Sequence, residues 1–271
     1  MGSGIVEVLA RAGFDVVVRE VSPEMLRRGL DRLEASLARA VERGKLDAGA
    51  ASDARARITG TVALEDLAGV DLAVEAVVER MDEKQTVLRA LDAIVRPGVI
   101  LASNTSSLCI TEMASVTGRP DRVVGLHFFN PVPVMPLIEI VRGLATSDGT
   151  IDSMRELAAT LNKTVVVAKD TPGFIVNLLM IPYLLEAIRA LEMGVATKED
   201  IDTAVRLGLG HPMGPFTLLD FVGLDTAYYI AEAMYNEYRE PRYAPPPLLK
   251  RMVLAGWHGR KTGRGFYTYK A

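Results

Sequence analysis

Apolar, β-branched runs alternate with amphipathic stretches up to about residue 169, and beyond that point the β-branched runs stop. This switch constrains the chain more than any other feature. Strand–helix alternation builds an open α/β sheet with helices on both faces, whereas consecutive helices must bury their stripes against one another. Residues 2–12 read as a short helix with Ile5, Val8 and Leu9 on one face and Gly13 at its end. Residues 14–18 read as a buried strand. Ser22-Pro23-Glu24 then supplies an N-cap and a proline at the first helical position, opening a helix to about Arg43. A further helix is expected at 48–57, strands at 58–62, 71–77, 99–103, 123–128, 137–141 and 164–168, and helices at 81–95 and 147–161. After Asp170-Thr171-Pro172-Gly173, residues 174–193, 197–207, 215–238 and 247–255 are helical in pattern, with one last strand at 266–269. The expectation is a Rossmann-like doubly wound domain over 1–169 and an all-helical domain over 170–271.

With 271 residues, 49% of them apolar, the chain can build two cores. Thirty-one basic against 34 acidic side chains leave a formal charge of −3, which argues against a nucleic-acid or anionic-membrane partner. Cys109 is the single cysteine, so an internal disulfide and a cysteine-rich zinc site are excluded and a reducing compartment is indicated. The apolar stretch 123–141 carries His127, Asn130, Glu139 and three prolines and cannot cross a bilayer as a helix. No basic segment precedes an apolar core at the N-terminus, so a cytoplasmic protein is expected.

Three places have the residue types that chemistry needs. A dinucleotide fold runs strand, Gly-x-Gly-x-x-Gly, helix, strand and then an acid for the ribose. Here helix 2–12, strand 14–18 and Glu20 follow that order, with Gly2 as the last glycine of the fingerprint. Glu20 favours NAD over NADP, and Arg19 beside it blurs the preference. Any amphipathic helix ahead of an apolar strand has the same outline. The second place is Ser103-Asn104-Thr105-Ser106-Ser107 after a buried strand, where ligands of α/β sheets gather. The same residues serve equally as a helix cap, with Ser107 and Glu112 doing only that. The third is His127, which ends a strand, and Glu139, an acid inside an apolar one. A buried carboxylate needs a partner, and prolines between the two turn the chain back. Held by Glu139, the imidazole becomes a general base; a structural histidine beside an edge-strand acid is the alternative. Neither His211 nor His258 has an acid nearby in sequence. Cys109 reads as a small buried apolar residue, and Gly259–Gly265 as a turn docking the last strand.

Taken in order, Met1-Gly2-Ser3-Gly4-Ile5, Val74-Glu75-Ala76-Val77-Val78-Glu79, Ser103-Asn104-Thr105-Ser106-Ser107-Leu108, His127-Phe128-Phe129-Asn130-Pro131-Val132-Pro133, Asp170-Thr171-Pro172-Gly173-Phe174-Ile175-Val176-Asn177, Gly214-Pro215-Phe216 and Gly263-Arg264-Gly265-Phe266-Tyr267 resemble the 3-hydroxyacyl-CoA dehydrogenase family. The single-function bacterial members called 3-hydroxybutyryl-CoA dehydrogenases are the nearest in kind. The resemblance implies reversible, NAD-dependent oxidation of an (S)-3-hydroxyacyl-CoA. It implies His127 as base, Glu139 as its orienter, Ser106 on the reacting oxygen and Asn177 as a further residue of the catalytic and substrate site. It places Gly2, Glu20, Ala76, Glu79, Lys84 and Asn104 at the cofactor, and Ser36 and Arg43 at the acyl-CoA substrate. No metal is implied, and a homodimer through the helical domain is.

The chain departs from the family at its start, where a first β-strand and the first two glycines of the fingerprint are expected ahead of Met1. The expected reason is a start assigned at an internal methionine. A protein made in this short form is expected to bind NAD weakly and to lose activity, which keeps open an impaired or non-catalytic relative that retains the fold. A hydroxyacid dehydrogenase with a catalytic lysine is disfavoured, because Ile181 stands four residues after Asn177 where that lysine belongs.

Overall fold

The computed structural model describes residues 1–269 and divides into two compact units, Met1–Asp170 and the segment from Thr171 onward. In the first, α1 (Gly2–Arg11), β1 (Val16–Arg19), α2 (Pro23–Glu42), α3 (Ala48–Ala56) and β2 (Ile58–Thr61) lead into β3 (Leu72–Glu75), α4 (Met81–Ile94) and β4 (Ile100–Ser103). Then follow α5 (Ile110–Ala114), β5 (Val123–Phe128), β6 (Leu137–Arg142), α6 (Asp148–Thr160) and β7 (Thr164–Lys169). The alternation expected from sequence is present, with α5 as an additional short helix.

The strands form two sheets. β1 pairs parallel with β2, and β3-β4-β5-β6-β7 form a mixed sheet that is parallel except between β5 and β6. Helix α1 serves both. Its Ile5 and Val8 join the core under the five-stranded sheet, while Val6 and Ala10 pack with Leu33, Leu37, Ala54 and Ile58. Both faces of this helix are therefore apolar, as a helix between two layers requires.

Strand β5 is buried at every position, the mark of a strand covered on both faces. Its antiparallel partner β6 approaches closely because Gly125 stands opposite Val141. A Cβ on Gly125 would lie 2.6 Å from the Val141 Cβ and 3.0 Å from Ile110 Cδ1.

The second unit contains α7 (Val176–Glu192), α8 (Lys198–Gly208), α9 (Pro215–Val222), α10 (Leu224–Tyr238) and α11 (Pro247–Leu254). Ile181, Leu184, Leu185 and Ile188 give α7 a helical stripe that packs on Phe216, Leu219, Leu224, Ala231 and Met234. The single helix expected over 215–238 is two, because Gly223 takes φ 101°, a left-handed conformation that no helix interior holds.

The strand expected at 266–269 is likewise not formed. Buried Asp220 accepts the backbone N–H groups of Phe266 and Tyr267, each at 2.8 Å, and the Tyr269 hydroxyl at 2.9 Å. The segment therefore hangs on a carboxylate, with isolated bridges Gly259–Arg264 and Arg264–Thr268 in place of a ladder. Burial and Asp220 push the Tyr269 hydroxyl up to about 12. Asp202 on α8 similarly accepts from the N–H groups of Phe216 and Thr217 at 2.7 and 3.0 Å, which satisfies the first turn of α9.

The close β5–β6 approach is testable. Gly125→Ala is expected to lower the urea midpoint by the equivalent of about 1–3 kcal/mol through overpacking. Gly149→Ala on α6, where nothing lies within 4 Å of the added Cβ, is expected to leave it unchanged or raise it. Equal midpoints for both variants would overturn this account.

Candidate active site

His127 and Glu139 occupy directly opposed positions of the β5–β6 antiparallel pair. Opposed residues in such a pair present their side chains on one face, so the ladder itself brings imidazole and carboxylate together. Nδ1 of His127 lies 2.7 Å from Oε2 of Glu139, which is fully buried. An ionised carboxylate can only accept, so in the pairing of an ionised Glu139 with a neutral imidazole it is Nδ1 that donates. Phe129 packs on the imidazole with ring centroids 4.5 Å apart.

The loop between β5 and β6 is fastened from outside. Lys163, after α6, donates from Nζ to the carbonyls of Val132 and Met135 at 2.8 and 2.7 Å. Sequence reading missed this lysine, since only the folded loop turns those carbonyls toward it.

The Ser103–Ser107 segment leaves the C-terminal end of β4. The Asn104 backbone N–H donates to the Glu75 carbonyl at 2.8 Å, and the Asn104 side-chain oxygen accepts from the Phe128 N–H at 3.0 Å. Asn104 thus bridges β3 to the residue that follows His127. Glu79 receives the Thr105 hydroxyl at 2.6 Å, the Ser106 N–H at 2.8 Å and the Ser106 hydroxyl at 3.1 Å.

The capping role expected of Ser107 is not its role here. Helix α5 begins after Cys109, whose sulfur accepts from the Glu112 N–H at 3.4 Å. Asp170 accepts from the Ile110 and Thr111 N–H groups at 2.8 and 2.7 Å. Cys109 is half-buried and donates to Asp170 at 3.2 Å, so it is a polar participant and not the buried apolar residue expected. Burial and the nearby carboxylate raise its thiol pKa, which leaves it unreactive.

Lys84 lies on the first turn of α4, 1% exposed, with Nζ 2.9 Å from Glu75 and 3.3 Å from Glu79. In the sequence Glu75 stands out only as part of the motif Val74-Glu75-Ala76-Val77-Val78-Glu79. The signal that could have found it is an acid closing a buried strand with a lysine nine residues later.

The remaining expected residues fall at the strand ends or on the helices. Glu20 follows β1, half-buried, and its carboxylate has no side-chain partner among the described residues. Arg19 beside it turns its Nε to the Val62 carbonyl at 3.4 Å. Ala76 follows β3. Gly2 opens α1, where no side chain caps the first turn and nothing lies within 4 Å of an added Cβ. An uncapped helix start, an uncommitted acid just past β1 and the amide-rich loop at β4 form a donor and acceptor set that fits a dinucleotide. Ser36 sits half-buried on α2 and Arg43 exposed at its C-terminal end. Asn177 lies in the first turn of α7 in the second unit.

His258, which lacks an acid nearby in sequence, has Asp225 3.9 Å away in space, and Lys261 shares the same carboxylate oxygen at 2.6 Å. Among the described residues there is no group of three or more His, Cys, Asp or Glu that could hold a metal, and no helix long and apolar enough to cross a membrane.

Comparison with known proteins matches residues 1–171 to the model of the 3-hydroxyacyl-CoA dehydrogenase NAD binding domain and residues 173–269 to that of the 3-hydroxyacyl-CoA dehydrogenase C-terminal domain. The chain is 51% identical over 271 residues to a 3-hydroxybutyryl-CoA dehydrogenase of Mycobacterium tuberculosis, covering 99% of this chain and 95% of that protein. It is 47% identical over 270 residues to a probable 3-hydroxybutyryl-CoA dehydrogenase of Bacillus subtilis, covering 100% and 94%. The crystal structure of the (S)-3-hydroxybutyryl-CoA dehydrogenase of Ralstonia eutropha superposes with a TM-score of 0.95 at 43% identity, covering 100% and 96%.

Glu79 gives the site a pH dependence. Burial alone would raise its pKa, but Lys84, Thr105 and the Ser106 N–H together hold it below the ordinary 4.5. A depressed folded-state pKa contributes stability above pH 4.5 that is lost as pH falls through the lowered value. Glu79→Gln is therefore expected to flatten the acid limb of melting temperature against pH, measured from pH 7 to pH 3, with little change in slope above pH 5. An unchanged acid limb would count against the assignment.

Proposed function

We propose, from the fact that this chain belongs to the 3-hydroxyacyl-CoA dehydrogenase family, that it interconverts (S)-3-hydroxybutyryl-CoA and acetoacetyl-CoA with His127 as the proton-transferring group. The enzyme is an NAD-dependent 3-hydroxyacyl-CoA dehydrogenase. The observation that carries the residue-level reading is the 2.7 Å contact between buried His127 and fully buried Glu139.

Bound NAD supplies the hydride acceptor. His127 takes the proton of the C3 hydroxyl at Nε2 as the C3 hydride departs, and returns it to the oxygen in the reverse direction. Glu139 faces the imidazolium that forms and offsets its charge without moving, because both side chains are fixed by one ladder. The Ser106 hydroxyl binds the reacting oxygen, and Asn104 ties that loop to the strand of His127. Gly2, Glu20, Ala76, Glu79, Lys84 and Asn104 would hold the dinucleotide, with Glu20 at the adenosine ribose. Ser36, Arg43 and Asn177 are assigned to the acyl-CoA on family resemblance.

A homodimer through the second unit fits the exposed Leu179, Met193, Val195, Leu207 and Leu209. A cytoplasmic location fits the single Cys109.

The assay follows NADH oxidation at 340 nm with acetoacetyl-CoA. His127→Gln is expected to lower kcat by about 10²–10⁴-fold, the range for loss of a general acid–base group. Glu139→Gln is expected to lower kcat while leaving the acetoacetyl-CoA KM nearly unchanged, since the carboxylate acts on the charge that develops. A His127→Gln enzyme within a few fold of the parent would overturn the mechanism.

A further inference from the structure

The turn between β5 and β6 touches two parts of the first unit at once. At its start Phe129 packs on the His127 imidazole, with ring centroids 4.5 Å apart. Three residues on, Val132 is 2% exposed and shares a core with Ile5 and Val8 of α1. A Cβ on Gly4, in the first turn of α1, would lie 3.0 Å from the Val132 Cβ and 3.6 Å from Pro133 Cδ. One short segment therefore lies against both the imidazole and the helix start that fits the dinucleotide.

Inside the turn, the Val134 and Met135 N–H groups both donate to the Pro131 carbonyl, at 2.9 and 3.0 Å. The carbonyls of Val132 and Met135 are taken by a single side chain from elsewhere, Lys163, at 2.8 and 2.7 Å. Lys163 has a firm base. Asn162 takes φ 53°, a left-handed step that ends α6, and the N–H groups of Asn162 and Lys163 donate back to Ala159 and Ala158 at 3.0 and 2.9 Å. Thr164 then opens β7 in register with β6, its N–H 2.7 Å from the Pro136 carbonyl. The lysine backbone is thus fixed by a helix end and a strand pair, and the ammonium reaches across to the turn. Both acceptors are neutral, and burial together with Arg11 holds the ammonium below the usual lysine range. A bond from a charged donor is roughly twice as strong as one between neutral groups, so two of them on one turn make a clamp.

We infer that Lys163 is a positioning residue: by holding the Val132 and Met135 carbonyls it seats the β5–β6 turn against the His127 imidazole and the first turn of α1 together, so that turnover and cofactor binding depend on one clamp. The inference rests on the reading of His127 as the proton-transferring group and of the α1 start as part of the cofactor site. Lys163 acts through Phe129 and Val132, with no contact to the reacting atoms required.

The test compares Lys163→Met, which removes the donor, with Lys163→Arg, whose guanidinium can still donate to two carbonyls. Each is read in the full chain as kcat and KM for acetoacetyl-CoA, with NADH affinity measured separately by fluorescence titration. Lys163→Met is expected to lower kcat by about tenfold or more and to weaken NADH by about threefold or more, with the acetoacetyl-CoA KM changed less than about twofold. Lys163→Arg is expected to return kcat and NADH affinity to within about twofold of the parent. Lys163→Gln, which keeps amide donors without the charge, is expected to fall between the two. Loss of kcat with parental NADH affinity, loss of affinity with parental kcat, or a Lys163→Arg enzyme as impaired as Lys163→Met would each overturn the inference.

Two further variants isolate the readings beneath it. A His127→Gln enzyme near parental turnover overturns the reading of the base, and the inference with it. Gly2→Asp, where nothing lies within 4 Å of an added Cβ, places a negative charge at the α1 start and is expected to weaken NADH by about tenfold or more. Parental affinity in Gly2→Asp overturns the reading of that helix start. Stability is separated by Arg119, which clamps the end of α4 through Asp92 and the Val95 carbonyl. Arg119→Met is expected to lower melting temperature while kcat and NADH affinity stay within about twofold of the parent. Losses of kcat and affinity in Arg119→Met equal to those in Lys163→Met would mean that the Lys163 clamp is only structural.

Discussion

A carboxylate closed off from water has to be met by donors, and the first unit is arranged around two of them. Glu139 is met by the imidazole of His127, and Glu75 by Lys84, the Ser103 hydroxyl and the Val77 N–H. Each acid lies on or at the end of a strand of the same five-stranded sheet, where strand geometry leaves little freedom. The donors come from neighbouring strands, from the turn after β3 and from α4. Satisfying these two charges places the imidazole and the hydroxyl-rich loop before any ligand arrives. Preorganisation of this kind is what transition-state stabilisation requires.

The second unit solves a different problem with the same chemistry. Asp202 and Asp220 are buried on consecutive helices and accept backbone N–H groups from segments far away in sequence. Asp202 completes the first turn of α9, and Asp220 binds the C-terminal segment down to Tyr269. The helices would bury their apolar stripes without these acids, but the connection that follows α11 would have no ladder to join. Carboxylates here replace strand pairing as the means of fixing irregular backbone.

Much of this was legible in the residues. The β-branched runs and capping signals place β5 over Val123–Phe128 and α2 from Pro23, and the pairing of His127 with Glu139 follows from an acid in an apolar strand that needs a partner. Errors arose where a remote group overrides a local pattern. Residues 266–269 have strand composition, yet the N–H groups of Phe266 and Tyr267 are taken by an aspartate 46 and 47 positions earlier. Residues 215–238 have helical composition throughout, yet Gly223 breaks them. Cys109 has no base adjacent in sequence, but Asp170 reaches it from 61 positions later.

The sequence by itself determined the order of elements, the division between an α/β half and a helical half, the family, and the dehydrogenase chemistry that family performs. It did so because periodicity, capping and motif spacing act over a few residues and are written in consecutive letters. Only the tertiary structure decided how buried charges are satisfied: that Lys84 faces inward to Glu75, that Glu79 grips Ser106, and that Asn104 reaches the strand of His127. Those contacts join residues 24 to 27 positions apart across strands and loops, apart from Lys84, nine from Glu75. Their geometry depends on strand register and on which face of a helix turns inward. Neither is a property of any short stretch of chain.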